Sequence, residues 1–188
     1  KDWNRWEAFF RLSAFNYNVQ DWIIWLPEGG LFRPENVRRV WSRGGAARLR
    51  LERELGSGAV GLEAGYSFTR STNERSKDPG DPSVGKQLIY VPLHQGSGSL
   101  SWRSGSWYIA YRQEWAGRTY TLSDNSDWLP GFAVGALHLS REWRWKAFSG
   151  RLYARLENLW NKDYELVANR PLPGRHYQIG LNIHFSKK

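Results

Sequence analysis

Apolar and polar residues alternate singly along most of this chain. The cleanest stretch is His176–Phe185, where Tyr177, Ile179, Leu181, Ile183 and Phe185 share one face. His176, Gln178, Gly180, Asn182 and His184 take the other, the period of a β-strand with one greasy side. Val60, Leu62, Ala64, Tyr66 and Phe68 alternate with Gly61, Glu63, Gly65, Ser67 and Thr69 in the same way. So do Ala47, Leu49 and Leu51 with Arg48, Arg50 and Glu52, and Leu152, Ala154 and Leu156 with Arg151, Tyr153, Arg155 and Glu157. Further runs lie at 96–102, 107–114 and 132–140. A helix would gather Arg48, Leu51 and Glu52 on one side, so the helical reading fails. The opening stretch, residues 6–24, sets Ala8, Phe10, Leu12 and Ala14 on one face and Phe9, Phe15 and Tyr17 on the other. It completes a set of about eight predicted strands.

The connections alternate in length. Long loops are expected at 27–36, 71–86, 116–129 and 161–175, and tight turns at Gly56-Ser57-Gly58, Ser104-Gly105 and Trp145-Lys146. In an antiparallel meander this puts every short turn at one end and every long loop at the other. Outer-membrane barrels have that asymmetry, and a soluble sandwich has no reason for it. Several runs also reach the roughly 9 to 11 residues a tilted strand needs to cross a bilayer. Trp41, Tyr66, Phe68, Trp102, Trp107, Phe132, Trp143, Trp160 and Tyr177 fall toward strand ends, as interfacial girdles require. The fold class expected is therefore all-β, an antiparallel transmembrane β-barrel meander. Strands in lipid must pair on both sides, so the barrel closes, alone or with strands beyond these eight.

Composition narrows the chemistry. The chain has 188 residues, with 27 Lys and Arg against 18 Asp and Glu, a net charge of +9. Cys is absent, which excludes disulfides, Cys-ligated metals and thiol catalysis. No run approaches the length of a transmembrane helix, and the most apolar, 22–27, has six residues. Twelve Trp, nine Tyr and eight Phe argue against disorder. Met is absent and the chain opens on Lys1 with no apolar leader, so translation is expected to begin upstream. The cations are dispersed rather than gathered in a tract, which disfavours nucleic acid.

Near the C-terminus, Asn158-Leu159-Trp160-Asn161-Lys162-Asp163-Tyr164 precedes Pro171-Leu172-Pro173-Gly174-Arg175 and a last strand ending in Phe185. Upstream come Trp25-Leu26-Pro27, Pro34-Glu35-Asn36-Val37, Ser42-Arg43-Gly44, Tyr90-Val91-Pro92 with His94-Gln95, and Leu129-Pro130-Gly131-Phe132. This ordered series resembles the C-terminal part of the barrel of TonB-dependent outer-membrane receptors. The resemblance implies a segment of a 22-stranded, plugged barrel that imports a scarce nutrient such as a siderophore, cobalamin or glycan. It also implies residence in the outer membrane of a Gram-negative bacterium. Nothing here resembles the plug domain or the energy-coupling segment before it. Residues 1–188 are thus expected to be one C-terminal portion whose partners are the absent plug and N-terminal strands, and, through the plug, the TonB complex. Outer-membrane lipid, lipopolysaccharide and the barrel assembly machinery complete the partners.

No catalytic, cofactor or metal site is expected. His94, His138, His176 and His184 lack zinc-ligand spacing, and the last three fall on faces assigned to the lumen. Glu52, Glu54 and Glu157 have Arg48, Arg50, Arg151 and Arg155 as neighbours, which suggests lumenal ion pairs. Trp115, Tyr120 and Trp128 are the candidate ligand-contacting loop aromatics, with girdle or loop packing as the plainer role. Phe185 resembles the aromatic end by which such strands are recognised for assembly, and it also serves as a lipid anchor. Asn158 is expected to satisfy backbone at its strand's loop end, and Pro173-Gly174 to form a turn in which Gly supplies a positive φ. Arg118, Lys162, Arg170 and Arg175 are placed to meet lipopolysaccharide phosphates. Two rival readings are a complete eight-stranded barrel serving as anchor or lipid-modifying enzyme, and a soluble carbohydrate-binding module.

Overall fold

The computed structural model describes residues 6–76, 79–145 and 148–185. Eight long strands form one antiparallel meander: β1 (Trp6–Glu28), β2 (Leu31–Leu55), β3 (Gly58–Arg75), β4 (His94–Ser104), β5 (Trp107–Ala116), β8 (Phe132–Trp145), β9 (Phe148–Glu157) and β12 (His176–Phe185). Two small hairpins ride in the loops, β6 (Thr119–Tyr120) with β7 (Trp128–Leu129), and β10 (Glu165–Val167) with β11 (Arg170–Pro171). The sheet order is β1-β2-β3-β4-β5-β8-β9-β12, so β1 and β12 are its two edges.

The register sorts side chains into two faces. One ladder row runs Ala8, Leu51, Leu62, Leu100, Tyr111, Leu137, Leu156 and Tyr177 across all eight strands. The row beside it runs Glu7, Glu52, Gly61, Ser101, Ala110, His138, Arg155 and Gln178. Among the described residues the buried apolar side chains are Val40, Ala59 and Ile89, too few for an ordinary core. Leu12, Leu100 and Ile179, on the apolar face, are instead 73%, 58% and 69% exposed. An extensive exposed apolar face has to meet lipid, and the charged face turns inward.

β4, β5, β9 and β12, with 10 or 11 residues each, have the length of membrane-crossing strands. Aromatics bound the apolar band. Trp6, Trp102, Trp107, Trp143, Trp145, Phe148 and Phe185 lie toward the short turns, and Tyr66, Phe68 and Trp115 toward the loops. Close packing fixes the second group. Tyr66 stacks on Trp115 at 6.1 Å, and a Cβ at Gly96 would lie 2.6 Å from the Trp115 indole nitrogen, so only glycine admits the ring there.

The first loop expectation needs correction. Instead of a long loop at 27–36, β1 and β2 continue as a paired ribbon and turn at Gly29-Gly30, with φ of 57° and 82°. Two successive positive φ values make the hairpin turn whose twist matches the strands. Pro27 and Pro34 sit within this ribbon, opposite Phe32 and Trp25. Ladder alternation is lost to the eye there because the ribbon rises past the girdle, where no lipid face has to be kept apolar. Lys146, in the predicted last turn, lies outside the described residues.

Candidate functional site: an ion-paired inner wall beneath clasped loops

The inner face bounds a trough of 1030 Å³ lined from β2 round to β12, including Arg50, Glu63, Arg112, His138, Arg155 and Gln178. A second hollow of 580 Å³ continues it past Arg112 and Glu114 to Arg11 and Arg48. Charges on this wall pair both along and across strands. Arg50 reaches Glu52 at 3.3 Å and Glu63 at 3.5 Å, and Arg103 reaches Glu52 at 3.8 Å. Arg112 pairs with Glu114, and Arg151 donates through Nε to Glu142 at 2.8 Å. Sequence neighbours thus indicated the kind of contact but missed most carboxylate partners, because register decides them. Arg155 turns to His138, its Nε 3.3 Å from Nδ1, and Tyr153 stacks over the same imidazole at 6.4 Å.

Above the wall, two loops are tied together by the buried Gln87 amide and the half-buried Asn125 amide. Gln87 donates from Nε2 to the carbonyls of Thr69 (3.2 Å) and Val91 (3.1 Å) and accepts from the Ser71 amide at 3.0 Å. Its backbone exchanges two bonds with the Asn125 side chain, at 3.0 and 2.9 Å. Tyr90 N–H donates to the Tyr120 carbonyl at 2.9 Å, a second tie between the loops. Each loop also carries an acidic turn. Burial alone pushes the Asp81 carboxyl up, but hydrogen bonds from Ser76 and Ser83 outweigh it and hold the pKa below its ordinary value. Asp124 is lowered by the Ser126 hydroxyl and amide, at 2.7 and 3.0 Å.

The last loop hangs on Asn158, which is 5% exposed and has φ of 48°. Its Nδ2 donates to the carbonyls of Lys162 (2.8 Å) and Pro173 (3.2 Å), and its Oδ1 accepts from Lys162 N–H at 2.8 Å. The backbone role expected of Asn158 is therefore what the geometry contains. Gly174 is a correction, since it is not among the residues of positive φ, which in this loop are Asn158, Asn161 and Asn169. It is glycine for space: a Cβ would sit 2.9 Å from Asn161 Oδ1, which accepts Arg175 N–H at 2.8 Å. Phe132 is another correction. It lies on the inward register and packs on Tyr164 at 4.7 Å, because the odd residues of β8 carry the lipid face. Burial, then the Glu114 and Glu157 carboxylates, push the Tyr164 phenol up.

The family profile described as TonB dependent receptor-like, β-barrel, matches residues 1–159. The chain belongs to the TonB-dependent receptor β-barrel family. Among solved structures, BauA, the ferric preacinetobactin receptor from Acinetobacter baumannii, aligns with a TM-score of 0.69 at 16% identity, over 93% of this chain and 27% of its own. The ferric citrate transporter FecA aligns at 0.67 and 15%, over 95% and 29%. The copper transporter OprC aligns at 0.65 and 20%, over 95% and 28%. At such identity the likeness is one of fold, and the chain spans just over a quarter of the length of these proteins. Membership places the chain in the Gram-negative outer membrane, and the non-enzymatic reading stands on the family being one of receptors.

Within this receptor barrel the candidate aromatics divide. Trp115 faces outward in the girdle against Tyr66. Tyr120 and Trp128 face each other across β6 and β7 in a loop, with the Arg118 guanidinium 5.1 Å from the Trp128 ring. Phe185 is 75% exposed on edge strand β12, opposite Phe148. Arg118, Lys162, Arg170 and Arg175 all lie in loops or their hairpins, spread between two of them. Sequence reading missed the Gln87–Asn125 clasp, for which an amide amid turn residues is the only local sign.

Proposed function

We infer that residues 1–188 form the C-terminal wall of a TonB-dependent receptor that takes up a scarce nutrient, a siderophore, cobalamin or glycan, across the outer membrane. Plug and N-terminal strands come from the rest of the receptor, and the plug carries the coupling to the TonB complex. The observation that carries this reading is the open two-faced meander. An apolar outer face bounded by girdles has no tolerance for unpaired edge N–H and C=O groups in hydrocarbon, and β1 and β12 lie at opposite edges. That geometry favours additional strands over the complete eight-stranded barrel. The ion-paired inner wall suits a plug, since paired charges facing a polar domain need not be desolvated alone.

In this reading the long loops face the exterior, and Tyr120 and Trp128 are the aromatics that meet ligand. Outer-membrane lipid and lipopolysaccharide surround the wall, and Phe185 marks the last strand for the barrel assembly machinery. The relatives' names, which include a ferric preacinetobactin receptor, a ferric citrate transporter and a copper transporter, support a metal or metal chelate as first choice of cargo.

The test is uptake by cells with the full receptor gene intact or deleted, supplied with a panel of labelled metal chelates, cobalamin and oligosaccharides. One cargo should lose its accumulation on deletion and on loss of TonB alike. Accumulation that persists without TonB would contradict the proposal.

A further inference from the structure

Past the extracellular girdle the outward face of β2 and β3 changes character. Arg39, Arg43 and Arg70 continue the register that holds Ala47, Leu49, Tyr66 and Phe68 toward lipid, and a register shift that skips Glu74 brings Arg75 opposite Arg39. Arg43 stands directly opposite Arg70. Like charges directly opposite in a ladder repel, and here two such pairs follow one another along a single ribbon.

On the inner wall Arg50, Arg103, Arg112 and Arg151 are matched by carboxylates. Outside, none of these four is in an ion pair among the described residues. Arg39 and Arg43 have neutral partners. Arg43 lies 3.6 Å over the Trp41 ring and donates to Thr72 Oγ1 at 3.3 Å. Trp41 is itself fixed by donating to Asn16 Oδ1 at 2.6 Å, and Arg39 donates to Asn18 Oδ1 at 2.9 Å. The nearby carboxylate of Glu74 is engaged by the Thr72 hydroxyl. The set is thus organised by neutral side chains, with Glu74 held by Thr72 rather than ion-paired to any of the four arginines.

Its height decides what can neutralise it. Arg70 is two residues beyond Phe68, roughly 7 Å further along the strand, on the side that faces lipid. With the long loops outside, that is the headgroup level of the outer leaflet. The geometry points to a clamp for the phosphate groups of lipopolysaccharide, built from Arg39, Arg43, Arg70 and Arg75 on the outer face of β2 and β3. Guanidinium forks suit phosphate because they give two parallel charge-assisted bonds. Trp41 sets the Arg43 plane, and the apolar band just below receives the acyl chains. A soluble acidic partner fits less well, since the patch borders the lipid-facing band directly. The loop cations Arg118, Lys162, Arg170 and Arg175 are not part of this face.

The inference rests on the loops facing outward, and the experiment separates the two. Full-length receptor, purified in detergent, is titrated with bis-phosphorylated lipid A and with the same lipid enzymatically dephosphorylated, followed by native mass spectrometry. The wild type should bind the phosphorylated form at least about tenfold more tightly, the loss expected on removing charge-assisted hydrogen bonds. The combined Arg39→Gln, Arg43→Gln, Arg70→Gln, Arg75→Gln variant should bind both forms equally weakly, and millimolar inorganic phosphate should not displace the lipid. Equal binding of the two lipids by wild type, full binding by the variant, or displacement by inorganic phosphate overturns the clamp. Should the variant fail to show the heat-modifiable mobility of a folded barrel, the two lipids on wild-type protein decide alone. Orientation is read separately. A cysteine placed at Ser126, unique in this segment, should label on intact cells, and labelling only after permeabilisation would reverse the orientation without touching the lipid result.

Discussion

Asn158 shows how a single polar residue, on a register otherwise apolar, organises a loop. Three hydrogen bonds and a left-handed φ converge on it, so Asn158→Ala leaves the Lys162 amide and two carbonyls without their partner. The expected local cost is about 2–4 kcal/mol, read as faster tryptic cleavage after Lys162 with the barrel still folded. Cleavage at the wild-type rate would remove Asn158 from this role. Asp81 makes a pH prediction. Its folded pKa lies below the ordinary 3.8, so its turn's stabilisation is present above that value and is lost as pH falls through the lower folded one. Peptic cleavage within 76–86 should therefore rise on acidification below about pH 4 in wild type, and Asp81→Asn should flatten that rise. The part Asn158 plays was legible because an amide interrupting a greasy register has few other uses. Gly174 was misread because two different demands, positive φ and space, both select glycine.

Among the elements, the membrane strands were the most legible. Lipid on one side and a charged lumen on the other force strict alternation, as in His176–Phe185, and period two follows. Where that constraint ends, so does the signal. The ribbon formed by the upper parts of β1 and β2 has the run 22–27 and two prolines, which reads as loop, yet it is paired up to Gly29-Gly30. The ribbon lies beyond the girdle, so replacing residues 21–38 by an Asn-Gly turn joining Gln20 to Arg39 should leave insertion and heat-modifiable mobility unchanged. Loss of the folded form would show instead that the ribbon supports the wall.

At the scale of the molecule, the protein is inside out, with apolar side chains exposed and charge gathered on a concave wall. That much follows from the two faces of each strand. Which arginine meets which carboxylate does not, since partners such as Arg151 and Glu142 are set by cross-strand register rather than by neighbours in sequence. The outward arginines are invisible to a reading by net charge, because what distinguishes them is height on the strand and the absence of an ion pair among the described residues.

The central claim is that β1 and β12 are joined to strands beyond residues 1–188. Cryo-electron microscopy of the full-length product in a lipid nanodisc tests it directly. The account predicts a larger, plugged barrel in which each of these two strands is hydrogen-bonded to a strand from elsewhere in the receptor. A barrel closed by β1 pairing with β12 would contradict it.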